Sequence, residues 1–442
     1  MPIMKKTFLF LFFMLATVNT FAQAEPKFAK IDELLNHFYT NDVFMGSVCI
    51  REKGNVVFEK AYGYADVENN IAATAQTKYK IGSITKMFTA AVVFQLIEEK
   101  KLDMDAKLSQ FYPEIKNADS ITISMLLNHK SGIFNYTDHT DFGDYLFEPQ
   151  SKAAMLKRLA GYEPAFAPDE RAEYSNSNYL LLGYIIEDVT NKSYKANLNE
   201  RIIKPLRLRD TYYYSQLNSK RNEAYSYMRM GDSWKKSEEW DDSVAFAAGA
   251  LLSTPYDLTL FIDALFDGKI IKKESLEQMT KLDMGYGKGI LIFPFGERRF
   301  FGHNGGIEAF SSVLGYYPKE KMSFSIIQNG KSYDLNEIVV GVLSIYYKMP
   351  YPFPNLKTAD VAPEILQGYH GIYASQGMPL KITITSTDGK LTAQATGQSD
   401  FPLTPVSDTE FVFNPAGITI LFKDKNSFIL KQGGMEFTFT RE

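Results

Sequence analysis

The sequence predicts a mixed α/β (α+β) chain: an antiparallel sheet flanked by helices, a helical lobe, and a small all-β, barrel-like unit at the end. Three observations predict it. Strand-like runs occur early and again before residue 350, helical spacing dominates between them, and after a proline cluster only short β runs recur. At 442 residues with 45% hydrophobic content, the chain is longer than one ordinary domain and has ample material for a large core.

The first 24 residues read as an export signal. Lys5 and Lys6 precede an apolar run over 8–18, and the small residues Ala22 and Ala24 offer cleavage sites. The run falls well short of the ~20 apolar residues that span a bilayer. The expectation is a periplasmic or extracellular protein with no membrane span once the signal is removed. Cys49 is the single cysteine, so no intramolecular disulfide can form, and none stands at the signal junction to take a lipid. The formal charge of -4 becomes -6 when Lys5 and Lys6 leave with a segment that holds no acid, which disfavours a nucleic-acid partner.

The mature part is expected to divide into a domain over 25–349, a linker over 350–365 and a β unit over 366–442. Runs at 43–50 and 55–64 flank the polar turn Arg51-Glu52-Lys53-Gly54 and predict a hairpin. A helix is expected from near Ser83, because Ile84, Met87, Phe88, Ala91 and Val92 recur at spacings of three and four. Residues 100–245 read as a helical lobe with polar loops, among them the charge-rich 220–242. Strand signals return at 289–293, 299–301, 311–317 and 323–328, and the early hairpin is expected to join them in one antiparallel sheet. Pro350, Pro352, Pro354 and Pro363 then mark a stiff linker. Beyond it, runs at 380–386, 390–395, 410–413, 418–422, 427–431 and 435–440 predict strands.

Three short patterns bear chemistry. Ser-x-x-Lys occurs twice, at Ser83 to Lys86 and at Ser233 to Lys236, and context separates the two. Ser83 follows Gly82 at the head of an apolar helix, whereas Ser233 stands in a charged run expected to be a solvated loop. Residues three apart on a helix share a face, so Lys86 brings its amine to the Ser83 hydroxyl, where burial lowers its affinity for a proton. A helix cap at Ser83 and a lysine snorkelling to water would satisfy the same spacing. The second pattern is Tyr174-Ser175-Asn176, whose alternate residues, if extended, present a phenol and an amide to one side. The third, His303-Asn304-Gly305-Gly306, is the chain's only His-x-Gly, and its glycines let a substrate backbone approach, with Asn304 and Gly305 as substrate-contacting positions.

In that order the three patterns resemble the motifs of the serine β-lactamase and penicillin-binding-protein superfamily, and the chain is similar to its class C branch. The resemblance runs from about residue 30 to 347 and includes 54–66, 249–254 and Leu126-Leu127-Asn128-His129-Lys130-Ser131-Gly132-Ile133. It implies an acyl-enzyme on Ser83, with Lys86 as general base and Tyr174 moving the proton to the leaving group. It further implies an oxyanion hole from the Ser83 and Gly306 N–H groups, Asn176 holding Lys86 and the substrate amide, and His303 on the opposite wall. True β-lactamases usually carry a lysine where this chain has His303. The histidine is closer to D-aminopeptidases, some DD-peptidases and esterases, so a D-peptide or small ester, of cell-wall origin among the options, is the expected substrate. The tail resembles the lipocalin-like domain of such hydrolases.

No cofactor and no metal are expected. There is no His-Glu-x-x-His, and the absence of a Gly-x-Ser-x-Gly elbow disfavours a Ser-His-Asp hydrolase. Two other readings stay open: a penicillin-binding-type sensor that acylates with little or no turnover, and a true class C-like β-lactamase.

Overall fold

The computed structural model describes residues 25–442 except 231–232, 388, 414–415 and 433–434, so the export signal expected at 1–24 lies outside the described residues. Among the described residues, the main sheet is built from the strands β1 Gly46–Glu52, β2 Asn55–Tyr62, β3 Leu291–Phe295, β4 Arg298–Ile307, β5 Phe310–Tyr317 and β6 Met322–Gln328. They lie in the order β3-β4-β5-β6-β1-β2, and every neighbouring pair is antiparallel. The early hairpin therefore joins the late strands, as expected, through Gly46 opposite Gln328 and Glu52 opposite Met322.

Both faces of this sheet are apolar, so each needs a cover. One face packs on α1, Pro26–Thr40, through Ile31, Leu34, Leu35 and Phe38, and on the last helix of the domain, Leu335–Tyr346, through Ile338 and Val342. The other face carries the larger core. Its centre is α2, Thr85–Glu98, in which every residue from Thr85 to Phe94 is buried. A helix apolar all round belongs inside a domain rather than on its surface. Around α2 stand α3, Asn176–Thr190, α4, Asp242–Gly249, and α5, Pro255–Phe266. Phe88 of α2 stacks on Phe261 of α5 with ring centroids 3.8 Å apart, and both side chains are fully buried.

The lobe between β2 and β3 is largely helical, with one correction. The charge-rich 220–242 contains a hairpin of Tyr227–Met230 and Ser233–Lys236, to which Gly330–Lys331 adds in parallel. Buried Tyr227 and the close seat of Trp234 against Gly330 anchor it, a signal that the surrounding charges conceal. Strand geometry also disposes of the second Ser-x-x-Lys. Residues three apart on a strand point to opposite faces, and Ser233 and Lys236 are both exposed.

The proline-rich segment follows the first domain closely. Tyr351, Phe353 and Leu356 pack on the α1 core, and His37 Nε2 donates to the Pro354 carbonyl at 2.9 Å. A short helix, Pro363–Gly368, then leads into a third core in which Leu366 and Tyr369 are buried with Phe411, Phe422, Phe428 and Phe439. The described residues of the tail form a nine-stranded antiparallel sheet whose edges are Phe401–Pro402 and Thr404–Pro405. Only Leu403 separates those edges in the chain, so the sheet curls into a nearly closed barrel. Truncating Phe261 to alanine removes one half of the stack behind the α2 helix. Phe261→Ala is expected to lower unfolding stability by about 3–5 kcal/mol, read as a fall in the urea midpoint at unchanged slope.

Candidate active site

Gly82 determines how the chain enters α2. Its φ of +51° lies in the left-handed region that glycine tolerates, and it opens the 3₁₀ turn Gly82–Ile84 that carries Ser83 to the mouth of the helix. A Cβ on Gly82 would stand 2.8 Å from the Gly306 nitrogen and oxygen, and one on Gly305 would stand 2.1 Å from the Ile81 carbonyl oxygen. The backbone before Ser83 therefore rests directly on the Gly305–Gly306 stretch of β4. At Gly306 itself a Cβ would meet nothing nearer than 4.0 Å. β3 pairs with β4 only up to Gly302, so from His303 onward that side of β4 is open along the cleft.

Ser83 Oγ has two polar neighbours. Tyr174 OH donates to it at 2.6 Å, and Lys86 Nζ stands 3.0 Å away, one helical turn along. The two other contacts of Lys86 Nζ are the Asn176 side-chain oxygen and the Ala248 carbonyl, each at 2.8 Å, and both can only accept. A neutral amine has two hydrogens for these two acceptors and directs its lone pair at Ser83. Full burial pushes the Lys86 amine well below the usual lysine range, which favours that neutral form.

Each partner is placed by a separate element. Tyr174 precedes Ser175, which has β geometry, and α3 starts at Asn176, so the phenol reaches the Ser83 hydroxyl while the amide reaches the Lys86 amine. Asn176 is fixed by its own N–H, which donates to Asn135 Oδ1 at 2.9 Å, and by Nδ2, which donates to Thr137 Oγ1 at 3.1 Å. The Ala248 carbonyl is free because α4 ends at Gly249, and the last carbonyls of a helix have no partner within it; Ala247 O, free for the same reason, accepts from Thr89. Burial drives the Tyr174 phenol above its ordinary range, so it remains a proton donor through mild alkali.

His303 is buried behind this group, with its ring 6.4 Å from that of Tyr174. Its Nδ1 lies 2.5 Å from the Asn304 carbonyl, an acceptor, so Nδ1 holds the hydrogen and Nε2 the lone pair. Burial, reinforced by nearby Lys86, lowers its pKa to about 3, leaving a neutral ring at physiological pH. The cleft itself, about 570 Å³, is lined by Ser83, Tyr174, Gly285, Tyr286, Leu291, Ile292, Phe293, Asn304, Gly305 and Gly306. Lys86 and His303 lie buried beneath that surface, and Asn176 is half-buried.

Two participants escaped the sequence reading. The His129 ring packs tilted against that of Tyr174, centroids 4.6 Å apart, and lies 5.2 Å from that of Tyr286, and its Nδ1 accepts the Ser175 N–H at 3.1 Å. Its burial beside Lys86 and His303 lowers its proton affinity well below the ordinary histidine range. The block around it was visible, but one histidine among Asn128, Lys130 and Ser131 carries no signal of role. Tyr286 comes from a loop with no pattern at all. Among the described residues no group of His, Cys, Asp and Glu is placed to hold a metal ion.

A serine hydroxyl held between a buried amine and a phenol is equipped for acyl transfer. Residues 31–339 match the Beta-lactamase family. The chain belongs to that family. It is a β-lactamase-related serine hydrolase. A teichoic acid D-alanine hydrolase of Staphylococcus aureus (strain MRSA252) is 31% identical over 315 residues, which are 70% of this chain and 75% of that protein. The D-amino acid amidase of Ochrobactrum anthropi SV3, in complex with L-phenylalanine amide, shares the fold at a TM-score of 0.66 and 27% identity, over 73% of this chain and 99% of the amidase. An octameric penicillin-binding protein homologue from Pyrococcus abyssi, 24% identical, covers 93% of this chain and 99% of its own at a TM-score of 0.67, a likeness of fold that takes in most of the barrel.

The glycine contacts separate two substitutions in adjacent positions. Gly305→Ala drives a methyl group into the Ile81 carbonyl and is expected to slow fluorophosphonate labelling of Ser83 by about 100-fold. Gly306→Ala meets open space, and its labelling rate should stay within about twofold of wild type.

Proposed function

We propose that the protein hydrolyses D-amino-acyl amides or esters outside the cytoplasm, through an acyl-enzyme on Ser83. The observation that carries the proposal is the placement of Ser83 Oγ between the Lys86 amine at 3.0 Å and the Tyr174 phenol at 2.6 Å. Neutral Lys86 takes the serine proton as Oγ attacks the carbonyl carbon. The Ser83 and Gly306 N–H groups bind the oxygen as it becomes negative. Tyr174 passes a proton to the leaving nitrogen or oxygen, and Asn176 keeps Lys86 aligned while its amide borders the substrate. Water then attacks the acyl-enzyme by the same route in reverse.

The substrate class is supported by two lines. The relatives named above act on D-alanine of teichoic acid and on D-amino acid amides. The third motif supplies a neutral imidazole where a β-lactamase would place a charged lysine, so a β-lactam carboxylate finds no fixed cation from His303. A cell-envelope substrate agrees with the lysine-led apolar leader at 1–24 and with the teichoic acid relative. No helix of the described residues is long and apolar enough to cross a membrane.

Ser83→Ala should abolish labelling by a fluorophosphonate, with the wild-type adduct located on the Ser83 peptide by mass spectrometry. Lys86→Ala and Tyr174→Phe should each slow acylation by about 100-fold or more; unchanged rates would exclude the assigned roles. The base is the unprotonated amine, so a pKa pulled down by burial extends activity toward acid. The rate should fall only as pH drops through that lowered value, with no alkaline loss from Tyr174 in the ordinary phenol range. His303→Asn should leave the position of that acid limb in place. In a panel of D-alanine esters, D-phenylalanine amide, D-Ala-D-Ala peptides and nitrocefin, turnover of the D-amino-acyl compounds is expected to lead. Fast nitrocefin turnover would overturn the substrate assignment, and an adduct that forms without turnover of any compound would indicate a sensor.

A further inference from the structure

Two buried charges flank the proposed oxyanion hole without taking part in any step described above. Lys80 ends the short strand Tyr79–Lys80, three residues before Ser83, and its side chain is fully buried. Glu308 stands in the turn between β4 and β5, two residues after Gly306, with its side chain 1% exposed. Lys80 Nζ donates to Glu308 Oε1 at 2.6 Å. The same amine lies 3.7 Å from a Glu239 carboxylate oxygen and 4.2 Å from the centre of the Tyr214 ring. Glu308 is anchored in turn: Oε1 accepts the Trp240 N–H at 2.8 Å, and Oε2 accepts the Ser226 hydroxyl at 3.4 Å.

Stability is a poor account of this pair. Desolvating both charges offsets most of their mutual attraction, and an apolar pair of similar volume often serves as well or better. Glu308 is also held at a φ of +54°, at the tip of a two-residue turn where glycine or asparagine would sit without strain. A side chain kept where both its charge and its backbone are disfavoured calls for an explanation from its position. Between Lys80 and Ser83 run Ile81 and Gly82, and between Gly306 and Glu308 runs Ile307. The Gly82 backbone rests on Gly306, and the Ile81 carbonyl accepts the Ser312 hydroxyl at 2.9 Å. The ion pair thus ties the two segments together beside the contact of Gly82 with Gly306, next to the two N–H groups proposed to bind the oxygen.

We infer that Lys80 and Glu308 form a positioning clamp that sets the separation of the Ser83 and Gly306 N–H groups, so that both donors address one oxygen. The inference rests on the reading of Ser83 as the acylated residue. The pair touches no substrate; it acts through the backbone of the two segments it joins. Its loss leaves binding intact and weakens stabilisation of the charged oxygen, which lowers kcat in preference to raising KM.

The double variant Lys80→Met/Glu308→Leu removes both charges and leaves apolar side chains in their place. With D-alanine p-nitroanilide as substrate and a fluorophosphonate as acylating probe, kcat and the labelling rate are expected to fall about 10- to 100-fold. KM should stay within about twofold, and the thermal midpoint should be unchanged or raised. Lys80→Arg, which keeps the pair, should retain most of the rate. A double variant that folds and acylates at the wild-type rate would overturn the clamp. Should the double variant fail to fold, Glu308→Gln carries the same test, because it removes the charge that holds Lys80 while its amide oxygen can still accept the Trp240 N–H; a wild-type kcat there overturns the inference and a selective fall in kcat supports it. Wild-type protein that takes no label, or a Ser83→Ala variant that still does, would refute the Ser83 reading and the clamp with it.

Discussion

The site depends on one costly act, the transfer of the Lys86 amine into an apolar helix core. Water would hold that amine protonated, and a protonated amine beside Ser83 would have no lone pair to offer. Burial removes the water, and the three groups that replace it come from different parts of the chain: Asn176 at the head of α3, the Ala248 carbonyl of α4 and Ser83 of the nucleophile turn. The helices must dock before the amine is satisfied. The end of α4 at Gly249 belongs to the same requirement, because a helix continued by another turn would have kept the Ala248 carbonyl for itself. Packing and chemistry at this site are therefore one constraint.

How much of this can be read in the sequence follows from distance along the chain. Ser83 and Lys86 are one helical turn apart, so their approach is local geometry, and the spacing of Ile84, Met87 and Phe88 identifies the helix. The main sheet was legible because the early hairpin is apolar on both faces and has only the late strands to pair with. Lys80 and Glu308 are 228 residues apart, and no local pattern relates them. The Tyr227–Met230 hairpin was hidden by the lysines and acids around it, and in the tail Phe401–Pro402 and Thr404–Pro405 were hidden by the prolines that end them. In each case tertiary contact overrode local composition. His129 shows a different limit: its block was recognisable, yet its contact with Tyr174 exists only once α3 has brought Ser175 to its ring.

His303 illustrates how one position can separate chemistries on a shared scaffold. Its ring is neutral because it is enclosed, and its hydrogen is committed to the Asn304 carbonyl. A lysine there would present a charge to the cleft; the imidazole presents none. The fold is that of the beta-lactamase family, while the electrostatics at His303 offer no cation to a substrate at that point.

The tail carries a further consequence for behaviour in concentrated solution. A sheet with a long open border is a template on which a second molecule can add a strand and begin a fibril. Here the two borders are two-residue strands on either side of Leu403, and each ends in a proline that has no N–H to offer. The barrel thus closes off the surface from which edge-to-edge polymerisation would start, and a β-rich appendage of this kind can be carried by a hydrolase without making it prone to assemble with itself.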